Sequence, residues 1–344
     1  MDNSRIILNV NQTLYKPICD FIGKEYNFRT ILLDSKNIDE SIRSKKSLLL
    51  TGLKSSWKII LKRKYLKSSQ IIISIGLFET IFLLLLNKIG YINPRKIVWW
   101  GFFIHSKRSL YFLRYYFKLF YKRNINFVIF SECERELYNK QLSISGKVFY
   151  SLPYGDWDNI TNSYSSFINE KNYYFSGGYS NRDYKTLIYV WGEYIKEYHL
   201  IIIGSHYNND LIEYMKGPKY SNIEVFLDLN VEKFDKYLEF SKACILPFKE
   251  NTGASGQMVT LKCMKLNKLI IATKTDIMEE YINNGKSGYL INDILELSNI
   301  ILDIEQNIEE KRMMIKESRK IFDEKFSFNV ITNNLNELCG YLLV

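Results

Sequence analysis

The first half of the sequence is short of acidic residues. Between Ser41 and Ser131 there are 18 lysine and arginine residues and a single acidic residue, Glu79. Residues 1–155 hold 26 basic against 10 acidic residues, whereas residues 156–344 hold 21 against 27. Because a field of one sign attracts polyanions, the first half is predicted to work against a nucleic acid or an anionic membrane surface.

Cysteine is also scarce, and no hydrophobic run is long enough to cross a bilayer. The five cysteines are scattered without paired spacing, which excludes a disulfide framework or zinc site and favours buried thiols in a reducing compartment. The longest apolar stretch, Ile71–Ile92, is interrupted by Glu79, Lys88 and a glycine. No signal peptide is expected, since the N-terminus leads directly into a strand-like run. We therefore expect a cytoplasmic protein, peripheral on the inner face of the plasma membrane.

Aromatic residues accompany the basic ones in the first half. The segment Ser106–Asn124 has helical periodicity, with a basic stripe and a wide aromatic flank. Such a helix suits the headgroup region of a bilayer, where each cation near anionic lipid contributes about 1 kcal/mol. A second basic run, Lys54–Lys67, adds Trp57 and Tyr65. The residues predicted to face the membrane or acceptor are Lys107, Arg108, Arg114, Lys118 and Lys122.

Two other interpretations of the basic runs exist. A domain helix whose basic side is merely solvated gives the same pattern. Nucleic-acid binding is the weaker alternative, because no zinc-finger spacing, aromatic RNA-binding signature or clear helix-turn-helix is visible. Two such runs in one half favour membrane docking, and no nucleic-acid partner is expected.

Short apolar runs alternate with helical patterns along the chain, as is typical of parallel sheets covered by helices. The polar stretch Asp158–Asn172 is predicted to be a linker. The sequence therefore predicts an α/β protein of two doubly wound, Rossmann-like domains, residues 1–155 and 156–324, with a ligand cleft between them. The predicted strands are Arg5–Val10, Thr30–Leu33, Ser47–Leu50, Ile71–Ile75, Ile97–Trp100, Phe127–Phe130, Val148–Leu152, Tyr173–Phe175, Leu200–Ile203, Ile223–Phe226, Ala243–Pro247, Leu269–Ala272 and Gly288–Ile291.

Three glycine-bearing loops follow strands in the second half: 176–185, 204–206 and 251–257. Glycine lets backbone amides approach an anion, and Ser255 is a good N-cap for a helix whose first amides can seat a phosphate. Each loop alone is ordinary, but three at one sheet edge favour a nucleotide site. The residues predicted to bind a diphosphate are Gly177, Gly178, Arg182, Lys185, Gly253, Ser255, Gly256 and Gln257.

The segments FSGGYSNRDYKTLI, HLIIIGS, FSKACILPF, TGASGQMVTLKCMKLNKLIIATK and EEYINNGKSGYLI follow one another within residues 172–291. This series resembles the nucleotide-sugar-binding domain of GT-B fold glycosyltransferases, in particular the family-4-like group (glycosyl transferases group 1). The resemblance implies a nucleotide-sugar donor and a terminal helix, residues 325–344, that crosses back onto the first domain. The first domain fits the group only in architecture, and acceptor binding varies there.

The sequence departs from the group at one place. Retaining members that resemble this pattern carry two glutamates eight positions apart near the donor sugar and ribose, where this sequence has Ala254 and Lys262. Glu250 lies close to this loop, and Glu280 matches the acidic residue ahead of the group's Asn-Gly turn. These two glutamates are the residues predicted to contact the donor sugar and ribose. Retaining and inverting reactions both stay open.

Glycosyl transfer needs a neutralised leaving diphosphate and, for inversion, a base for the acceptor hydroxyl. Helix amides with Arg182 and Lys185 can neutralise the diphosphate, so no metal or other cofactor is expected. Candidates for the base are Glu79 and His105, although a glutamate at a helix start also complements the helix dipole. The triplet Asp156–Asp158 has the Asp-x-Asp pattern of metal-binding glycosyltransferases of another fold, but its place at the hinge argues against a metal site.

Together these features predict a metal-independent, hexosyltransferase-like GT-B enzyme. It would move a sugar from a nucleotide sugar to a lipid-linked glycan in the biosynthesis of a bacterial surface polysaccharide, such as a capsule or lipopolysaccharide O-antigen. The alternative is a non-catalytic GT-B-like partner that binds a glycan or a true transferase, which the missing glutamate pair supports. A nucleic-acid-binding protein using the basic half is a third possibility.

Overall fold

The computed structural model describes residues 5–9, 16–32, 54, 56–104, 107–142, 144, 148–155, 171–216, 218–249 and 255–343. The chain divides into two compact units. Unit 1 comprises Met1–Pro153 together with Ile331–Val344, and unit 2 comprises Tyr154–Val330. Each unit is built on its own six-stranded sheet.

The sheet of unit 1 is parallel throughout. Its strands are β1 (Arg5–Asn9), β2 (Arg29–Leu32), β3 (Ile71–Ile75), β4 (Lys96–Trp100), β5 (Ile125–Ile129) and β6 (Phe149–Ser151). They lie in the order β2-β1-β3-β4-β5-β6, and every neighbouring pair is parallel. All five residues of β3 are buried, which explains its nearly unbroken run of isoleucine.

The sheet of unit 2 is also parallel throughout. Its strands are β7 (Tyr173–Gly177), β8 (His199–Gly204), β9 (Ile223–Leu227), β10 (Ala243–Leu246), β11 (Leu269–Thr273) and β12 (Tyr289–Ile291). They lie in the order β12-β11-β10-β7-β8-β9. The winding reverses between β7 and β10, the point of a doubly wound sheet at which ligands bind beyond the carboxyl ends of the strands.

Helices connect the strands in both units, and residues 56–61 are helical as well. The helices are α1 (Lys16–Glu25), α2 (Arg63–Ser68), α3 (Leu77–Lys88), α4 (Lys107–Phe120), α5 (Glu132–Leu142), α6 (Tyr184–Tyr194), α7 (Asp210–Tyr214), α8 (Val231–Glu239), α9 (Gln257–Lys265), α10 (Asp276–Tyr281), α11 (Leu297–Gln306), α12 (Ile308–Lys325) and α13 (Phe328–Leu343).

The predicted strands that fall on described residues are all present, with ends that differ by at most two residues. Ser47–Leu50 lies outside the described residues, as does nearly all of the predicted linker. One helix prediction is wrong at its end: the basic aromatic segment is helical only from Lys107 to Phe120. Lys122 therefore lies beyond the helix, where its Nζ donates a hydrogen bond to the backbone carbonyl of Asn87.

The last helix, α13, packs its final residues within unit 1. The ammonium of Lys96 donates to the carbonyl of Leu342 at 2.8 Å, and the hydroxyl of Tyr26 donates to the carbonyl of Asn336 at 3.0 Å. The Leu342 bond satisfies a carbonyl in the last turn, where helices leave acceptors unpaired. These contacts attach the C-terminus to the N-terminal sheet.

No helix among the described residues is long and apolar enough to cross a membrane. None of the cysteines forms a disulfide bond, and all except Cys133 are buried.

The core of unit 1 is centred on interlocking aromatic rings. The ring of Phe127 on β5 lies 4.9 Å from those of Phe102 and Phe149, 5.5 Å from Phe117 and 6.0 Å from Trp99, measured between centroids. Aromatic pairs at this spacing contribute beyond the area that they bury. This cluster packs α4 against the sheet and joins the edge strand β6 to β5 through their side chains.

We predict that Phe127→Ala lowers the free energy of unfolding by about 3–5 kcal/mol, since it removes a fully buried ring and leaves a cavity. The measurement is urea unfolding followed by circular dichroism. Tyr111→Ala is the control, because Tyr111 is 71% exposed and its loss should change stability by less than about 0.5 kcal/mol. Equal, small effects of the two substitutions would contradict this view of the core.

Candidate functional site

Unit 2 contains a cavity of about 340 Å³ where its sheet reverses. The loop after β7, the start of α8 and the start of α9 all contribute to its lining. The cavity lies where the carboxyl ends of β7 and β10 meet, since the loops that follow these two strands diverge there. This is the position expected for a ligand in such a sheet.

Arg182 fixes the loop after β7. Its Nε donates to the carbonyl of Gly177 at 3.1 Å, and its Nη1 donates to the carbonyl of Ser180 at 2.9 Å. The guanidinium carbon lies 4.6 Å from the centre of the Phe248 ring, a cation–π contact with the segment after β10. Burial lowers the pKa of Arg182, but an arginine stays charged in proteins. A buried positive charge therefore borders the cavity.

Two lining glycines leave room for this arrangement. Gly178 has a φ of +119°, and a Cβ there would come within 2.6 Å of Arg182 Nη2. Gly256 has a φ of +91°, and a Cβ there would come within 2.4 Å of the Phe248 ring. Both positions thus require glycine for conformation and for space.

The N-terminus of α9 forms one end of the cavity. Ser255, Gly256, Gln257 and Met258 all line it. The prediction that Ser255 is the N-cap is wrong, because Gly256 occupies that position in a left-handed conformation. Among the described residues, no side chain caps the N-terminus of α9. The first-turn amides of a helix have no intrahelical acceptor and carry partial positive charge. This end of the cavity, with Arg182, favours an anion.

The cavity also has an apolar wall. Leu229, Val231 and Phe234 line it from the start of α8, and Val259 lines it from α9. Val231 is 68% exposed, whereas Phe234 and Leu238 of the same helix are buried. The sequence patterns did not predict this wall. The one sign of it in the sequence is Val231, an apolar residue at the otherwise polar start of an amphipathic helix.

The predicted diphosphate residues divide between lining and surrounding positions. Gly178, Arg182, Ser255, Gly256 and Gln257 line the cavity, and Gly177 supports it through its carbonyl.

Lys185 does not line the cavity. Its Nζ is bonded at 2.6 Å to Asp210 Oδ2 on α7, and both side chains are exposed. That hydrogen bond raises the pKa of Lys185 and lowers the pKa of Asp210. Glu280 lies half-buried on α10 and is not among the lining residues, while Glu250 and Gly253 fall outside the described residues.

The loop at 204–206 is held by internal hydrogen bonds. The side chain of Asn208 accepts from the amide of Ser205 at 3.0 Å, and the amide of His206 donates to Asp228 at 3.1 Å. Neither Ser205 nor His206 lines the cavity. Of the three glycine loops predicted to form the site, the described residues of two reach it.

In unit 1, Glu79 lies in the first turn of α3 and is 5% exposed. That position fits a carboxylate that complements the helix dipole as well as it fits a base. His105 lies outside the described residues, and so do Asp156 and Asp158. Within the described part of the chain, no group of three or more His, Cys, Asp or Glu side chains could hold a metal ion.

Residues 170–307 match the family model described as glycosyl transferases group 1. The predicted resemblance is thereby confirmed. The part of unit 2 that this match covers is thus similar to group 1 glycosyl transferases. A search of curated proteins found no match.

Solved structures share the fold of this chain over 98% of its length. HepE from Anabaena, in complex with UDP-glucose, is 14% identical with a TM-score of 0.74, covering 98% of this chain and 99% of HepE. The lipopolysaccharide outer core galactosyltransferase WaaB is 13% identical with a TM-score of 0.69, covering 98% and 99%. Sucrose-phosphate synthase from Thermosynechococcus elongatus is 14% identical with a TM-score of 0.68, covering 98% and 88%. The predicted α/β class and GT-B fold are confirmed.

Gly256→Ala is predicted to lower the free energy of unfolding. The strained backbone conformation alone costs about 1–3 kcal/mol, and the clash between the new Cβ and the Phe248 ring adds to that cost. Gly340→Ala is the matched control: Gly340 lies within a helix, a Cβ there meets nothing within 4 Å, and the change should stabilise α13 by up to about 1 kcal/mol. Thermal unfolding measures both. Equal stability of the two variants would show that the contact between Gly256 and Phe248 does not constrain the loop.

Proposed function

We propose that this GT-B glycosyltransferase moves a sugar from a nucleotide-sugar donor to a lipid-linked glycan acceptor, in the assembly of a bacterial surface polysaccharide at the inner face of the plasma membrane. The cavity of unit 2 carries the proposal. It combines an anion-favouring end at the start of α9 with an apolar wall on α8. A nucleoside diphosphate suits both: it has a diphosphate, and its base has flat faces that pack against apolar side chains.

The diphosphate end needs no metal in this proposal. In glycosyl transfer the bond between the sugar and the diphosphate breaks, and the negative charge that develops on the leaving diphosphate must be stabilised. The amides at the start of α9 and the guanidinium of Arg182 supply positive charge from groups that are already fixed in place. Preorganised charge of this kind costs no reorganisation during the reaction.

The structural neighbours support the finer parts of the proposal. HepE is in complex with UDP-glucose, and WaaB is a galactosyltransferase of the lipopolysaccharide outer core. A hexose donor for this chain would match the ligand of HepE, and a role in making a surface polysaccharide would match that of WaaB.

We predict that one nucleoside diphosphate of a panel binds in the presence of EDTA, and that Arg182→Lys weakens this binding by about 10- to 100-fold. Lysine keeps the charge but loses the forked donors that bond Gly177 and Ser180. Isothermal titration calorimetry gives the affinities. Lys185→Gln is the control, since Lys185 pairs with Asp210 outside the cavity and its loss should leave the affinity unchanged.

Two results would change the proposal. If Lys185→Gln weakens binding as much as Arg182→Lys does, the nucleotide does not occupy this cavity. If no nucleoside diphosphate binds, the alternative of a non-catalytic GT-B-like partner takes first place. That alternative is supported by Ala254 and Lys262, which stand where retaining members of the group that this sequence resembles carry two glutamates.

Helix α4 carries the membrane part of the proposal. Its buried side includes Leu113, Tyr116 and Phe117, which pack in the core of unit 1. Its outer side is also aromatic: Tyr111 and Tyr115 are 71% and 67% exposed. The basic residues Arg108, Arg114 and Lys118 share that exposed side with Phe112. Exposed aromatic rings interleaved with cations suit the headgroup region of an anionic bilayer.

We predict that the double variant Arg114→Gln, Lys118→Gln binds vesicles of phosphatidylglycerol and phosphatidylcholine about 30-fold more weakly, at roughly 1 kcal/mol per cation. Co-sedimentation at low and high salt measures the effect. Lys316→Gln, Lys320→Gln on α12 is the matched control, because it removes two exposed cations from unit 2. Equal losses in both double variants would reduce the effect to net charge, and salt-independent binding would also contradict the proposal.

A further inference from the structure

We propose that Asp235, held by Lys262, accepts hydrogen bonds from the ribose hydroxyls of the donor. Unit 2 would then be selective for ribonucleoside over 2′-deoxyribonucleoside diphosphates. The inference rests on the proposed function, because it assumes that the cavity binds a nucleoside diphosphate. It adds a specificity-determining residue on α8, outside the glycine loops.

The cavity runs along one side of α9. Ser255, Met258, Val259 and Lys262 all line it, and their spacing of three, four and seven residues places them on one face of the helix. At 1.5 Å per residue, Lys262 lies about 7.5 Å along the axis from Gln257. A ligand whose diphosphate sits at the N-terminus of α9 therefore has its next chemical unit beside Lys262. In a nucleotide that unit is the ribose.

Lys262 is tied to the facing helix. Its Nζ donates a hydrogen bond to Asp235 Oδ1 on α8, and the ammonium lies 5.6 Å from the centre of the Phe234 ring. Lys262 lines the cavity and Asp235 does not, so the carboxylate lies one hydrogen bond away from a lining ammonium. The two side chains are 31% and 40% exposed, so that a ligand can reach them.

The charges of the pair decide which group it suits. The charged residues in the described lining are Arg182 and Lys262. Asp235 neutralises the lysine, so the pair attracts a second phosphate less than a lone lysine would. A carboxylate has lone pairs beyond the one that it gives to the ammonium, and it accepts hydrogen bonds from hydroxyl groups. Two neighbouring sugar hydroxyls meet that requirement, whereas a base fits the apolar wall.

The test compares UDP with 2′-deoxy-UDP, or the corresponding pair for whichever base binds, by isothermal titration calorimetry. We expect the wild-type protein to bind the ribonucleotide about tenfold more tightly, as a hydrogen bond to a charged group predicts. Asp235→Asn, which keeps the size of the side chain, should lower this ratio, since an uncharged amide oxygen accepts a weaker hydrogen bond than a carboxylate does. Lys262→Met should also lower it, since the carboxylate then loses its anchor.

The matched control is Glu232→Gln. Glu232 lies on the same helix and is bonded at 2.8 Å to Lys236, and neither residue lines the cavity. This variant should keep the wild-type ratio. Competition by inorganic pyrophosphate provides a second readout, because a change confined to the ribose leaves pyrophosphate affinity as in the wild type. A general loss of structure in Asp235→Asn would instead weaken every ligand alike.

Two outcomes overturn the inference while leaving the donor site intact. In the first, the wild-type and Asp235→Asn proteins show the same ratio of ribonucleotide to deoxyribonucleotide affinity. In the second, Asp235→Asn keeps the wild-type circular dichroism spectrum and thermal stability but weakens pyrophosphate as much as it weakens the nucleotide. If no nucleoside diphosphate binds the wild-type protein, the proposed function itself fails and this inference fails with it.

Discussion

The site in unit 2 depends on the buried guanidinium of Arg182. It bonds the carbonyl of Gly177 at the end of β7 and that of Ser180 in the loop that follows, and it lies over the ring of Phe248, which belongs to the segment after β10. Phe248 in turn lies against Gly256, where α9 begins. One side chain thus connects the two loops that diverge at the reversal of the sheet, and it sets where the amides of α9 point. The backbone reinforces this connection, since the amide of Asp183 donates to the carbonyl of Pro247 at 2.9 Å.

The two units differ in how their positive charge is arranged. Unit 1 carries the strong positive charge of residues 1–155, and α4 exposes aromatic rings among its cations. Unit 2 places the charge of Arg182 and the partial positive charge at the start of α9 beside its cavity. A diffuse field suits an extended anionic surface, whereas a fixed, buried charge suits one anionic group. In the proposed function, membrane docking and donor binding make different demands and fall on different units.

Sequence patterns predicted the sheets well because buried parallel strands are nearly continuous apolar runs, as in Ile71–Ile75. These patterns also pointed to Gly178, Arg182 and Gly256, which line the cavity, since glycine loops after strands are local features. They did not find the apolar wall or the pair of Lys262 and Asp235, because these residues lie 27 positions apart and meet only when α8 and α9 pack. Lys185 was assigned to the diphosphate by its place in the loop, yet its partner is Asp210. Partner choice among exposed charges is a tertiary property, which a local pattern does not contain.

The measurement that tests the central claim most directly is a crystal structure of the protein soaked with the nucleoside diphosphate that binds it. If the cavity is the donor site, the diphosphate oxygens will lie within hydrogen-bond distance of the first amides of α9 and of Arg182. The base will lie against Val231 and Phe234. A nucleotide that lies elsewhere on unit 2, or one held through a metal ion with no contact to α9, would contradict it.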